Sequence, residues 1–251
     1  MDSFTLWLLS IVSLVHFNGL PVTPFLGRCI LWLLGMDVPK DTVTTLHTWI
    51  QEKRKVVILF PHSSIWDSFY QIVFATAYKC PGFAVGHECW EHHPIVGPFL
   101  RYNGIIFVNP KIDGDMFGTT QQVIDRLKKE EDGFLLWISP TGGRVNRPWR
   151  TGYKFIAEAT GAYLAVAGVD YEHHQIQVSP LLSHIEYNSP YEVTSIFASI
   201  VPLHPDLSYP RTWVNLVDPY TKIPIKLVPF RHEIIVGIAI TSLFAWIAYI
   251  L

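Results

Sequence analysis

The sequence predicts an α/β fold: a layered mixed sheet flanked by helices, with membrane-associated helices at the N-terminus and a transmembrane helix at the C-terminus. Three observations predict it. Between residues 39 and 230, short apolar runs alternate with helix-period stretches, the pattern of strands joined by crossover helices. Residues 234–251 carry no charge. The first 36 residues contain only Asp2 and Arg28 among Asp, Glu, Lys and Arg.

At the N-terminus, an apolar run from Phe4 to Leu20 is interrupted by Ser10, Ser13, His16 and Asn18. Pro21 and Pro24 follow, then a second apolar stretch from Cys29 to Met36. An acid and no base near the start argue against a secretory signal. Residues 1–38 therefore read as helices that lie along or dip into one leaflet, and a full first span stays open.

Residues 39–230 read as one domain, since no linker, repeat or low-complexity run divides them. Residues 56–60, 83–85, 105–108, 134–138 and 164–169 are expected strands. Residues 65–78, 115–131 and 152–160 are expected helices between them. Residues 176–178 and 183–187 look like later, antiparallel strands. Residues 232–251 form the expected anchor. Its 18 uncharged residues (234–251) would span about 27 Å as a helix, near the thickness of a bilayer core. Arg231, His232, Lys226 and Lys222 precede the uncharged run, so the body is expected on the cytoplasmic side of an integral membrane protein.

Composition agrees. The 251 residues are 49% hydrophobic and only 16% charged, against about 25% in ordinary soluble domains. Mean hydropathy is +0.25, which excludes intrinsic disorder. The net charge of −2 excludes general nucleic-acid binding. Three scattered cysteines (Cys29, Cys80 and Cys89) make no disulfide framework, and no Asn-x-Ser/Thr acceptor occurs. Both fit a body facing a reducing compartment.

The sharpest chemical signal is Phe60-Pro61-His62-Ser63-Ser64-Ile65-Trp66-Asp67. In one continuous helix, five residues set side chains about 140° apart. His62 and Asp67 can meet only if His62 stays in the strand-to-helix loop and Asp67 enters the first helical turn. Asp67 would then be stabilised by the helix N-terminus and could fix the imidazole tautomer, leaving the other nitrogen as a general base. Ser64-x-x-Asp67 also matches a capping box, and taken alone the octet is read as that cap.

After the strand at 134–138 comes Ser139-Pro140-Thr141-Gly142-Gly143-Arg144, with Arg147, Arg150 and Lys154 before the next acid, Glu158. Adjacent glycines permit a concave run of backbone N–H groups suited to an anion. Arg144 adds a fork for phosphate or carboxylate oxygens. A glycine-rich turn beside a solvated or headgroup-touching basic face fits equally.

Together these segments resemble the glycerol-phosphate and lysophosphatidate acyltransferase family. His62 and Asp67 match its His-x4-Asp block. Gly104-Ile105-Ile106-Phe107-Val108-Asn109-Pro110 matches its glycine-led second block, and Pro140-Thr141-Gly142-Gly143-Arg144 its third. The run from Gly86-His87-Glu88 to Pro94-Ile95-Val96-Gly97 resembles the segment before the second block. Trp149-Arg150-Thr151-Gly152-Tyr153 resembles the stretch after the third.

The resemblance implies acyl transfer from acyl-CoA or acyl-carrier protein, as co-substrate, to a lipid hydroxyl in phospholipid synthesis or remodelling. His62 and Asp67 would be catalytic, and Thr141, Gly142, Gly143 and Arg144 substrate-binding. The expected partners are a membrane lipid acceptor, an acyl donor and the bilayer, with no further cofactor. The family's usual glutamate and threonine in the third block are Thr141 and Gly143 here. Its Asp-Arg in the second block is Asn109-Pro110, and an earlier lysine is His87. These departures leave two further readings: an acceptor without phosphate, or a membrane-anchored scaffold with weakened catalysis.

No metal is expected. The run His87-Glu88-Cys89-Trp90-Glu91-His92-His93 has glutamate where a zincin helix needs its second histidine. His16, His173, His174 and His184 have no acidic partner at a telling spacing and read as surface or core histidines. No Gly-x-Ser-x-Gly elbow occurs, so an α/β-hydrolase is not the reading.

Overall fold

The computed structural model of the protein describes residues 22–60, 65–93, 96–109, 116–140, 150–170 and 173–182. Six strands form one sheet: β1 (Lys55–Leu59), β2 (Phe83–His87), β3 (Ile105–Val108), β4 (Phe134–Ile138), β5 (Tyr163–Asp170) and β6 (Gln175–Val178). Their spatial order is β3-β2-β4-β1-β5-β6. The first five run parallel, and β6 returns antiparallel against β5. The helices are α1 (Val22–Leu33), α2 (Lys40–Gln51), α3 (Ile65–Ala77), α4 (Val96–Tyr102), α5 (Met116–Leu127) and α6 (Gly152–Thr160).

The central strands are apolar without interruption because both of their faces are covered. In β1, Val56 and Ile58 point to a layer containing Leu46 and Trp49 of α2 and Phe69, Tyr70, Val73 and Phe74 of α3. Val57 and Leu59 point the other way, toward Val123, Ile124 and Leu127 of α5 and Ile156 and Ala157 of α6. Strands β4 and β5 alternate in the same sense, with Leu135, Trp137, Ala165 and Ala167 on the first face and Leu136, Leu164 and Val166 on the second. Full burial of a side chain the size of Ile58 stabilises by about 1.5–3 kcal/mol.

Helix α1 packs along α3. Gly27 permits the approach, since a Cβ there would lie 3.0 Å from the Ala77 backbone. Ile30 and Leu31 are buried in the same core as the sheet, whereas Phe25 and Trp32 are 62% and 77% exposed. Helix α2 starts after Pro39 and buries Thr42, Leu46 and Trp49, a spacing that puts all three on one face. Its His47 Nε2 donates to the Tyr78 carbonyl at 2.6 Å. Asp37, between the two helices, donates its amide to His174 O at 2.7 Å and accepts from the Ile176 amide at 3.2 Å. That bond pair ties the helical layer to β6.

Among the described residues, no helix is long and apolar enough to cross a membrane. The apolar run 4–20 and the expected anchor 232–251 lie outside the described residues, as does the expected strand 183–187.

Candidate active site

The connections around β1 and β4 define a crevice. These strands are parallel neighbours, with Leu59 paired to Ile138. After β1 the chain continues into α3 on one face of the sheet, and after β4 it continues into α6 on the other. Two adjacent parallel strands whose following helices part to opposite faces leave a cleft at their carboxyl ends, where ligands of open α/β sheets bind.

Both sequence motifs leave from this point. The Phe60 amide donates to the Ile138 carbonyl at 2.9 Å, so the chain ends leading to His62 and to Thr141 start one strand spacing apart, about 4.8 Å. Beneath them, the Phe60 and Trp137 rings meet edge to face, centroids 5.7 Å apart, with Phe74 against Trp137 behind. The Pro140 carbonyl accepts the Arg150 amide at 2.8 Å, which ties the two ends of segment 141–149 together at the mouth of the cleft.

Asp67 lies in the first turn of α3 and is 2% exposed. That is the position required for it to meet a histidine in the preceding loop. A carboxylate there gains about 0.3–1 kcal/mol from the partial positive charge of the helix end. His62, Thr141, Gly142, Gly143 and Arg144 lie outside the described residues. The described chain thus brings together the roots of the two motifs and positions Asp67.

Beyond β2 the chain enters a short helical turn, Glu88–Trp90. His87 Nδ1 accepts the Cys89 amide at 3.1 Å. In the neutral ring that assigns the proton to Nε2. Arg101 from α4 donates to the Glu91 carbonyl at 3.2 Å and lies 3.9 Å from its carboxylate. Glu88 Oε1 lies 3.9 Å from His92 Nε2, while its Oε2 is buried and has no hydrogen-bond partner among the described residues. No group of three or more His, Cys, Asp or Glu is placed to hold a metal ion among the described residues.

One reading of the sequence is corrected. His173 does have an acidic partner: its Nδ1 lies 2.7 Å from Asp170 Oδ2, and its amide donates to Oδ1 at 2.9 Å. Asp170 ends β5 and the chain reverses within the next few residues, so two side chains three apart meet across the bend. An Asp-x-x-His spacing at a strand's end was the available signal. Cys80 is fully buried, and burial pushes its thiol up to about 12, which removes it as a nucleophile.

No curated protein sequence matches the chain significantly. Among solved structures, the chain is similar to the crystal structure of the 1-acyl-sn-glycerophosphate (LPA) acyltransferase PlsC from Thermotoga maritima. The TM-score is 0.44 at 14% identity, covering 79% of this chain and 93% of that one; a likeness of that degree supports no inference by itself. The sequence model of the acyltransferase family matches residues 42–171, just over half of the chain, and spans both motifs and the strands that carry them. The chain belongs to the acyltransferase family.

Proposed function

We propose that the protein transfers a fatty acyl group from acyl-CoA or acyl-carrier protein to a hydroxyl of a lysophospholipid, the class that includes lysophosphatidate. The carrying observation is the pairing of the ends of β1 and β4 at the parting of the helices, with Asp67 buried one turn into α3.

In this reading His62 accepts the proton of the lipid hydroxyl as its oxygen attacks the thioester carbonyl. Asp67 orients the imidazole and stabilises the imidazolium without taking the proton. The tetrahedral intermediate collapses: the new C–O ester bond stays, the C–S bond breaks, and the leaving thiolate takes the proton back from His62. Backbone N–H groups at the strand ends stabilise the oxyanion. Segment 141–144 holds an anionic group of a substrate, with Arg144 supplying the guanidinium. No acyl-enzyme forms, which agrees with a buried, high-pKa Cys80.

The acceptor resides in a bilayer, and the enzyme works there as an integral membrane protein with its catalytic body on the cytoplasmic side. The uncharged run 234–251 supports this, as do the exposed Phe25, Arg28 and Trp32 of α1, because aromatic and basic side chains suit the headgroup layer. The test is the full chain in liposomes with labelled acyl-CoA and a panel of lysophospholipids. Diacyl product and free CoA in equal amounts are expected. Turnover confined to hydrolysis of the thioester, with no acylated lipid, contradicts the proposal.

A further inference from the structure

We propose that the first turn of α6 holds a phosphate group of a substrate, met by the amides of Gly152 and Tyr153, the Tyr153 hydroxyl and the Arg150 guanidinium. The substrates rest on the acyl-transfer reading above, in which donor and acceptor both carry phosphate; the turn adds a second anion holder beside segment 141–144. Described bonds place it at the cleft. Leu59 pairs with Ile138 at the end of β1 and β4, and the Pro140 carbonyl just beyond accepts the Arg150 amide at 2.8 Å. Thr151 is the N-cap and α6 begins at Gly152. The helix thus starts at the carboxyl end of β4 and runs back over the sheet before β5 returns parallel to β1.

Nothing among the described residues neutralises this helix end. Thr151 makes no side-chain cap bond, and the first turn contains no acid. The Lys154 amide bonds to the Thr151 carbonyl at 2.9 Å, whereas the amides of Gly152 and Tyr153 meet no carbonyl among the described residues. A Cβ at Gly152 would approach the Thr120 hydroxyl at 3.1 Å and nothing else within 4 Å, so the way to these amides is open and bordered by a polar group. Arg150, one residue before the N-cap, is half-buried and has no acidic partner among the described residues.

Tyr153 lies on the same turn and is 2% exposed, and its hydroxyl has no hydrogen-bond partner among the described residues. Helical side chains lean toward the N-terminus of their helix. At the second helical position no earlier turn covers the ring, so the hydroxyl is aimed past the helix start, toward the strand ends. A buried hydroxyl calls for a partner. Burial raises the phenol above its ordinary 10.0, so at neutral pH it is a donor. Phosphate accepts from every group at this turn: its charge suits the helix end, and its oxygens suit the guanidinium fork.

The experiment measures equilibrium binding of CoA, lysophosphatidate and monoacylglycerol to the full chain in liposomes, with lipid acylation assayed alongside. Wild type is compared with Arg150→Gln, Arg150→Lys and Tyr153→Phe, which keeps the ring. Arg150→Gln should weaken one phosphate-bearing ligand by roughly tenfold or more and Tyr153→Phe by roughly fivefold, the scale of one charge-assisted and one neutral hydrogen bond. Arg150→Lys, which keeps the charge, should recover part of the loss. Loss on CoA assigns the phosphate to the donor, and loss on lysophosphatidate assigns it to the acceptor. Monoacylglycerol has no phosphate and should bind all four proteins alike. Unchanged affinities, or an equal loss on monoacylglycerol, overturn the phosphate site and leave acyl transfer standing. A phosphate-selective loss without any lipid acylation keeps the site and overturns the acyl-transfer reading.

Discussion

The Phe60 amide and the Ile138 carbonyl are joined by a 2.9 Å hydrogen bond at the last rung between β1 and β4. Past it, β1 is followed in sequence by α3 and β4 by segment 141–149. Two motifs 79 residues apart in sequence, at His62 and Thr141, thereby start from a common edge, and the aromatic contact of Phe60 with Trp137 fixes that edge from below. In the proposed mechanism, a base after β1 and an anion holder after β4 would both start from this edge.

Asp67 acts through His62 in this mechanism. Asp67→Asn keeps the shape of the buried side chain and removes its charge, so kcat should fall by roughly 10²- to 10⁴-fold with KM little changed. Thermal melting, measured alongside, should remain cooperative. A wild-type kcat in a folded Asp67→Asn variant would dismiss the carboxylate from the mechanism.

Two glycines with positive φ separate steric from conformational cost. Gly161 closes α6 at φ 66, and a Cβ added there would meet nothing within 4 Å. Gly133, at φ 84 before β4, would bring its Cβ to 2.4 Å from Lys53 O. Gly161→Ala should cost about 1–2 kcal/mol, the left-handed penalty alone. Gly133→Ala should cost about 3 kcal/mol or more, because the β1 approach must shift as well. Urea melts of the pair check this, and equal losses would refute the contact.

Cysteine reactivity should follow burial. At pH 8 a thiol with a pKa of about 12 is thiolate to roughly one part in 10⁴, and Cys80 is also sealed from solvent. Cys89 is exposed. Iodoacetamide followed by peptide mass spectrometry should label Cys89 in the native protein and Cys80 only after denaturation. Native labelling of Cys80 at the Cys89 rate would show that the α3–β2 corner opens readily.

Alkaline stability carries the mark of Tyr153. Burial raises its phenol above the ordinary 10.0, so the folded state holds that proton more tightly than the unfolded state. Its stabilising effect is complete below pH 10 and is lost as the pH rises from there through the folded value. Tyr78 is raised in the same direction, chiefly by burial. Melting temperatures between about pH 8 and 11 should fall less steeply for Tyr153→Phe than for wild type; parallel curves would remove the residue from the effect.

Much of the sheet is legible in the sequence because its strands are apolar runs bounded by breakers. The expected 105–108, 134–138 and 152–160 coincide with β3, β4 and α6, and β1, β2, β5, β6 and α3 differ by a residue or two at most ends. Helix α2 is not visible in the pattern. Its Lys-Asp-Thr-Val-Thr-Thr start is rich in β-branched residues of poor helix propensity, and tertiary burial of Leu46 and Trp49 holds it helical. Within the apolar stretch from Cys29 to Met36, Ile30, Leu31, Leu34 and Met36 are buried in protein, while Trp32 and Leu33 are exposed. Composition does not tell one apolar surrounding from the other. Strand order is hidden too, since β4 inserts between β1 and β2 through contacts remote in sequence. For the site, the expectation that Asp67 enters the first helical turn is met.

The most direct measurement is single-turnover CoA release by the full chain in liposomes that contain lysophospholipid and a long-chain acyl-CoA, for wild type and His62→Ala. The variant is expected to bind acyl-CoA as wild type does and to release CoA roughly 10²- to 10⁴-fold more slowly, the worth of a positioned general base. Release at the wild-type rate from folded His62→Ala would contradict that role.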